Sequence, residues 1–142
     1  MNILLTGGAG YIGSHTCVML QKLGFTTVIY DNFSNSSLST IQNITEISGV
    51  VPEFVEGDIL DFSLLKSTMV RHKISAVIHF AGLKSVQESV ENPFLYNEVN
   101  LEGSKNLLDA MQACNVFSII FSSSATVYGD PKYLPITEDH PL

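Results

Sequence analysis

The feature that most constrains this chain is a run of glycines, Thr6-Gly7-Gly8-Ala9-Gly10-Tyr11-Ile12-Gly13, set between a short apolar stretch and a segment of helical period. A G-x-x-G-x-x-G spacing where a strand becomes a helix lets the backbone turn tightly and approach a pyrophosphate, whose charge the helix N-terminus and its free N–H groups stabilise. Glycine turns also serve plain strand-to-helix packing, so the rest of the chain must supply the context.

That context is an alternation of short β-branched runs with longer helical segments, the pattern of repeated βαβ units. Strands are predicted at residues 2–6, 26–30, 53–56, 76–80 and 117–122. A helix over 11–23 is expected to bury Ile12, Thr16, Met19, Leu20 and Leu23 and to stop at Gly24. A polar helix spans 37–47, and Asp61 caps another that buries Leu65 and Met69. The longest helix is expected from Asn92 as cap, with Pro93 in its first turn, to about Cys114, with Leu101, Leu107, Leu108, Met111 and Cys114 as its apolar stripe. Only 15% of the residues are charged, against about 25% in an average protein, which suits a sheet covered on both faces. The expectation is one α/β domain over residues 1–142, a doubly wound parallel sheet of strand order 3-2-1-4-5. Residues 123–142 hold Gly129, Pro131, Pro135 and Pro141 and show no helical pattern, so the chain reads as interrupted after its fifth strand.

Seven Lys plus Arg against fourteen Asp plus Glu give a net charge of −7 with no basic stripe, which argues against nucleic acid or an anionic membrane as partner. No apolar run approaches the ~20 residues that span a bilayer, and a strand pattern follows Met1 at once; a cytoplasmic protein is expected. Cys17 and Cys114 read as reduced packing residues, and His15, His72, His79 and His140 lack metal-ligand spacing, with His79 a satisfied strand residue.

Asp31 ends the second strand 18 residues after Gly13, near the ~20-residue interval at which a carboxylate accepts hydrogen bonds from an adenosine ribose. Asp31-Asn32 is also a turn dipeptide. With strand, glycines, helix, strand and acid in register, the pattern is that of a dinucleotide site. An Asp repels a 2′-phosphate, and no Arg follows within the next ten residues, so NAD is expected over NADP. Asp58, at the end of the third strand, has two readings: a contact to the adenine amino group, or a carboxylate capping a nearby helix. After the fourth strand, Phe80-Ala81-Gly82-Leu83-Lys84 offers small residues where a cofactor passes close to backbone, then a cation that such turns usually leave solvated. Ser122-Ser123-Ser124 brings hydroxyls to the same rim without the G-x-S-x-G elbow of a nucleophile; serine runs are also polar turns.

Together, TGGAGYIGSHT (6–16), DNFSNS (31–36), VEGDI (55–59), VIHFAGLKSVQESV (77–90) and FSSSATVYGD (121–130) resemble the UDP-glucose 4-epimerase family of extended short-chain dehydrogenase/reductases, over essentially the whole chain. The resemblance implies that Gly7, Gly10, Tyr11, Ile12 and Gly13 hold the pyrophosphate of NAD. Asp31, Asn32, Phe33, Ser34, Asn35 and Ser36 would hold the adenosine side, with Asp58 and Ile59 flanking adenine. Phe80, Ala81, Gly82, Leu83 and Lys84 would line the nicotinamide half, with Asn100 and Ser122 nearby, and Ser124 would bind the sugar 4-hydroxyl. Val99 stands where some bacterial members carry Asn.

The implied reaction interconverts UDP-glucose and UDP-galactose through a 4-keto sugar, with transient hydride transfer to NAD. The family's base is the Tyr of a Tyr-x-x-x-Lys helix, expected beyond Leu142 together with the sugar-nucleotide domain, so residues 1–142 alone are expected to be inactive. Tyr128 and Lys132 share that spacing but flank Gly129 and Pro131 in a turn and are no substitute. The family further implies a homodimer built on the 92–114 helix, which here should expose an apolar patch beside an unprotected fifth strand. Two other readings are a sugar-nucleotide 4,6-dehydratase, which typically carries Thr-Asp-Glu where this chain has Ser124-Ala125-Thr126, and a non-catalytic NAD-binding module.

Overall fold

In the computed structural model, which describes residues 1–141, the first strand, β1 (Asn2–Thr6), lies at the centre of a five-stranded parallel sheet. Its neighbours are β2 (Thr26–Asp31) and β4 (Ala76–His79); β3 (Glu53–Glu56) and β5 (Ile119–Phe121) form the edges, in the expected order β3-β2-β1-β4-β5. Alternation along the strands feeds two cores. Leu4, Val28, Tyr30 and Val77 face one side, under α3 (Phe62–Arg71) and α6 (Gly103–Ala113). Ile3, Leu5, Ile29 and Ile78 face the other, under α1 (Tyr11–Lys22) and α2 (Ser39–Ser48). Each such side chain, fully buried, contributes roughly 1.5–3 kcal/mol.

Strand ends differ from expectation for a local reason. Phe80 and Ala81 leave β4 because both of their N–H groups donate to the Thr6 carbonyl, at 2.8 and 3.0 Å, folding the chain across the end of β1. Only residues 119–121 of the predicted 117–122 form β5, which pairs with Val77–His79.

The helices bring larger corrections. Asp61 caps α3 as expected, accepting the Leu64 N–H at 2.9 Å, and α3 buries Leu65 and Met69. On α1 the expected face is only partly right: Leu20 is half-buried against the core and Thr16 half-buried, but Ile12, Met19 and Leu23 are exposed, and Gly13, Cys17, Val18 and Gln21 are buried. The expected 92–114 helix is a rod of three parts, α5 (Pro93–Tyr96), a π-helical stretch (Asn97–Glu102) and α6. Asn92 makes no side-chain cap bond. Of the expected stripe, Leu101 and Leu108 are exposed and Cys114 is half-buried, while Gly103, Leu107, Ala110 and Met111 face the core. A short helix absent from the sequence reading, α4 (Val86–Glu91), precedes the rod, capped by Ser85. The final segment forms a 3-10 turn, Ala125–Tyr128; Leu142 lies outside the described residues.

Among the described residues no helix is long and apolar enough to cross a membrane. Cys17 is buried, and both cysteines are free thiols.

Candidate functional site

All five strands run the same way, so their carboxyl ends meet at one rim, and the glycine turn closes that rim at β1. Gly7 takes φ +69°, and a Cβ there would lie 2.5 Å from the Ala81 nitrogen. A Cβ at Gly13 would collide with the Gly7 carbonyl, so the start of α1 lies directly on the turn. No side chain caps α1. The first-turn N–H groups of Tyr11, Ile12 and Gly13 meet no acceptor among the described residues, as an anion site requires.

Beside the turn opens a cleft of about 410 Å³, within the usual range for a small-molecule site. Gly7 and Gly10 form one wall; Asp31, Asn32 and Ser34 to Ser36 a second; Asp58 and Ile59 a third; Phe80 to Leu83 a fourth. Asp31 knits two of these walls. Its Oδ2 accepts the Ala9 N–H at 2.9 Å, and its Oδ1 accepts the Phe33 N–H and the Ser36 hydroxyl, each at 2.9 Å. The carboxylate is thus both turn former and rim acid, with about one of its four acceptor positions left. Asp58 accepts the Leu60 N–H at 2.9 Å and the Asn32 amide at 2.9 Å. It caps no helix; Asp61 does that.

The other expected residues lie off the cleft walls. Tyr11 and Ile12 are exposed at the start of α1, Tyr11 edge-on to His15. Phe33, at φ +55°, turns away to pack edge-on against Phe54. Lys84 is exposed. The Asn100 amide is committed to the Leu83 peptide: its Oδ1 accepts the Leu83 N–H at 2.8 Å and its Nδ2 donates to the Leu83 carbonyl at 3.0 Å. Asn100 thus shapes the 80–84 loop from behind. Ser122 is half-buried, its N–H given to the His79 carbonyl. Ser124 is exposed at the head of the 3-10 turn, where its oxygen accepts the Thr126 hydroxyl at 3.0 Å.

Four wall residues escaped the sequence reading, Tyr30, Gly57, Glu88 and Leu95, and Val99, noted there only as a departure from the family, also lines the cleft. The spacing Ser85-Val86-Gln87-Glu88 is a capping-box signal that would have revealed α4 and with it Glu88. Tyr30 carries no such signal. Its phenol donates to the Asp58 carbonyl at 2.8 Å, and its pKa is raised by burial and then by the Asp61 and Asp58 charges, so it stays protonated.

Behind the rim His79 is buried between Thr6 and Ser104. Ser104 donates to the Asn100 carbonyl at 2.6 Å, so it accepts from His79 Nε2–H, and Nδ1 accepts the Thr6 hydroxyl. This tautomer follows from the bonding pattern. Burial, then the Lys84 charge, lowers the ring's pKa to about 4.

Sheet order, glycine turn and rim define a Rossmann-type α/β domain with a cleft at the carboxyl ends of its strands. The chain belongs to the family whose model is described as GDP-mannose 4,6 dehydratase, matched over residues 4–142. Its similarity to individual proteins points more narrowly, to UDP-glucose 4-epimerases. The Yersinia enterocolitica UDP-glucose 4-epimerase is 54% identical over 138 residues, 97% of this chain and 41% of that protein. The Stenotrophomonas maltophila UDP-glucose-4-epimerase, solved with bound NAD and formylated UDP-arabinopyranose, superposes with a TM-score of 0.94 at 50% identity, covering 98% of this chain and 41% of that one. The Bifidobacterium longum enzyme, in complex with NAD+ and UDP, gives 0.94 at 45% identity over 99% of this chain and 42% of its own. The chain thus spans about two fifths of the length of these relatives.

Proposed function

We propose that this chain is the NAD-binding part of a UDP-glucose 4-epimerase, an isomerase that interconverts UDP-glucose and UDP-galactose in galactose metabolism. Likeness to epimerases over nearly all of the chain carries the reading, because the cleft is formed by the segments that carry the likeness. When bound, NAD would supply a reversible hydride acceptor for C4 of the hexose. Residues 1–142 would form one domain that grips it: the turn of Gly7, Gly10, Tyr11, Ile12 and Gly13 receives the pyrophosphate, and Asp31 to Ser36 the adenosine. Asp58 and Ile59 meet adenine, and Phe80 to Lys84, shaped by Asn100 and flanked by Ser122, face the nicotinamide. Ser124, whose hydroxyl proton is uncommitted, would donate to the sugar oxygen. The base Tyr, its Lys and the sugar-nucleotide domain would belong to the remaining three fifths of such an enzyme. Residues 1–142 alone would therefore lose general base catalysis, typically worth 10²–10⁴-fold. The two free thiols support a cytoplasmic setting, and the exposed side chains of Phe94 and Leu101 support a homodimer built on the rod.

Calorimetric titration tests the reading. NAD should bind with one site per chain, and NADP at least about tenfold more weakly, because Asp31 repels a 2′-phosphate. With UDP-galactose the 142 residues should give no turnover, and a longer chain carrying Tyr-x-x-x-Lys should give UDP-glucose. Tighter NADP binding would refute the role of Asp31. The description of the family model favours a second reading, a 4,6-dehydratase, for which water loss from the sugar would be the signature.

A further inference from the structure

The dipeptide Asp58-Ile59 is held from three sides. The Tyr30 phenol, on a ring buried beneath Gly57, donates to the Asp58 carbonyl at 2.8 Å. Across a planar trans peptide the N–H points opposite to the C=O, so this bond turns the Ile59 N–H away from the phenol. That N–H meets no acceptor among the described residues. The following peptide is held from α6, where the Asn106 amide donates to the Ile59 carbonyl at 2.6 Å. The N–H of that same peptide, on Leu60, donates to Asp58 Oδ1 at 2.9 Å and aims the carboxylate. The rim therefore offers an uncommitted N–H donor beside a carboxylate with about two acceptor positions left. This edge complements adenine, which presents N1 as acceptor and its 6-amino group as donor. Hypoxanthine and guanine present the reverse, donor against donor and acceptor against acceptor.

We propose that Tyr30 and Asn106 are positioning residues that set the base specificity of the nucleotide site, fixing the Asp58-Ile59 peptides so that the rim reads adenine and rejects 6-oxopurines. The inference rests on the NAD-site reading. The high pKa of the phenol keeps it a donor throughout the working pH range. Each acts through a backbone carbonyl, so losing its donor frees a peptide to rotate.

The test titrates NAD and its hypoxanthine analogue, in which an oxo group replaces the 6-amino group, into the chain and into Tyr30→Phe and Asn106→Leu variants. Both substitutions nearly conserve volume and lie on different elements, so either can carry the test if the other fails to fold. Wild type should prefer NAD. Each variant should lose about three- to tenfold in NAD affinity while its affinity for the analogue holds, so the preference narrows. Asn106→Gln, which keeps an amide donor, should recover part of it. Equal weakening toward both dinucleotides, or an unchanged preference in both variants, overturns the proposal and leaves the NAD site standing. A wild type that binds neither dinucleotide removes the NAD-site reading itself, and this inference with it.

Discussion

At the scale of single residues, His79 is the group whose charge state the fold most constrains. Its two hydrogen bonds need a neutral ring, one nitrogen donating and the other accepting, and its pKa falls from 6.5 to about 4 in the folded chain. Because the folded value is the lower one, the stabilisation is complete above pH 6.5 and is lost as the pH falls from there toward 4. For so buried a group it amounts to about 3 kcal/mol. Urea midpoints measured at pH 7 and pH 4.5 should fall steeply, and much less in His79→Gln; equal slopes in the two proteins would contradict the assignment. The placement of several rim residues was also legible in the sequence. Gly7, Gly10, Asp31, Asp58 and the 80–83 loop meet in one cleft as their spacing indicates, because each stands at the carboxyl end of a parallel strand. Tyr30 and Asn106 were silent because their roles run through backbone carbonyls of residues distant in sequence.

At the scale of elements, strand alternation was readable and helix orientation was not. The expectation for α1 turned its bulkiest apolar residues inward, whereas the helix lies so close over the glycine turn that the small residues Gly13 and Cys17 face the sheet. Met19, 59% exposed, should tolerate Gln with stability within about 0.5 kcal/mol. Cys17→Leu should cost about 1–3 kcal/mol through overpacking. Denaturant unfolding of the two variants gives the order, and a costlier Met19→Gln would restore the discarded face. In the rod, Leu101 and Leu108 are seven apart and share an outward stripe, while Leu107 and Met111, four apart, share the inward one with Gly103. Leu107 and Leu108, adjacent in α6, stand about 100° apart around the helix, so a single stripe holding both spans two faces, and only packing on the sheet decides which one is buried.

At the scale of the molecule, the layers are unequal. The β1–β2–β4 centre is covered on both faces, whereas Ile120 and Phe121 on β5 are 63% and 55% exposed and Phe94 on the rod is 87% exposed. Such surfaces seek cover. Sedimentation of residues 1–142 should show concentration-dependent association, and Ile120→Lys should shift it toward monomer; a monomer at every concentration would contradict this. The expected exposed fifth strand and exposed apolar side chains on the rod, Phe94, Leu101 and Leu108 among them, are present.

The placement of β1 between β2 and β4 also bears on synthesis. As the polypeptide leaves the ribosome, one flank of β1 finds β2 after about 30 residues, but the other waits for residues 76–79. For that interval the strand that carries the glycine turn has bare peptide groups along one side, an edge open to pairing with another strand. Slow translation between residues 31 and 76 would lengthen that exposure.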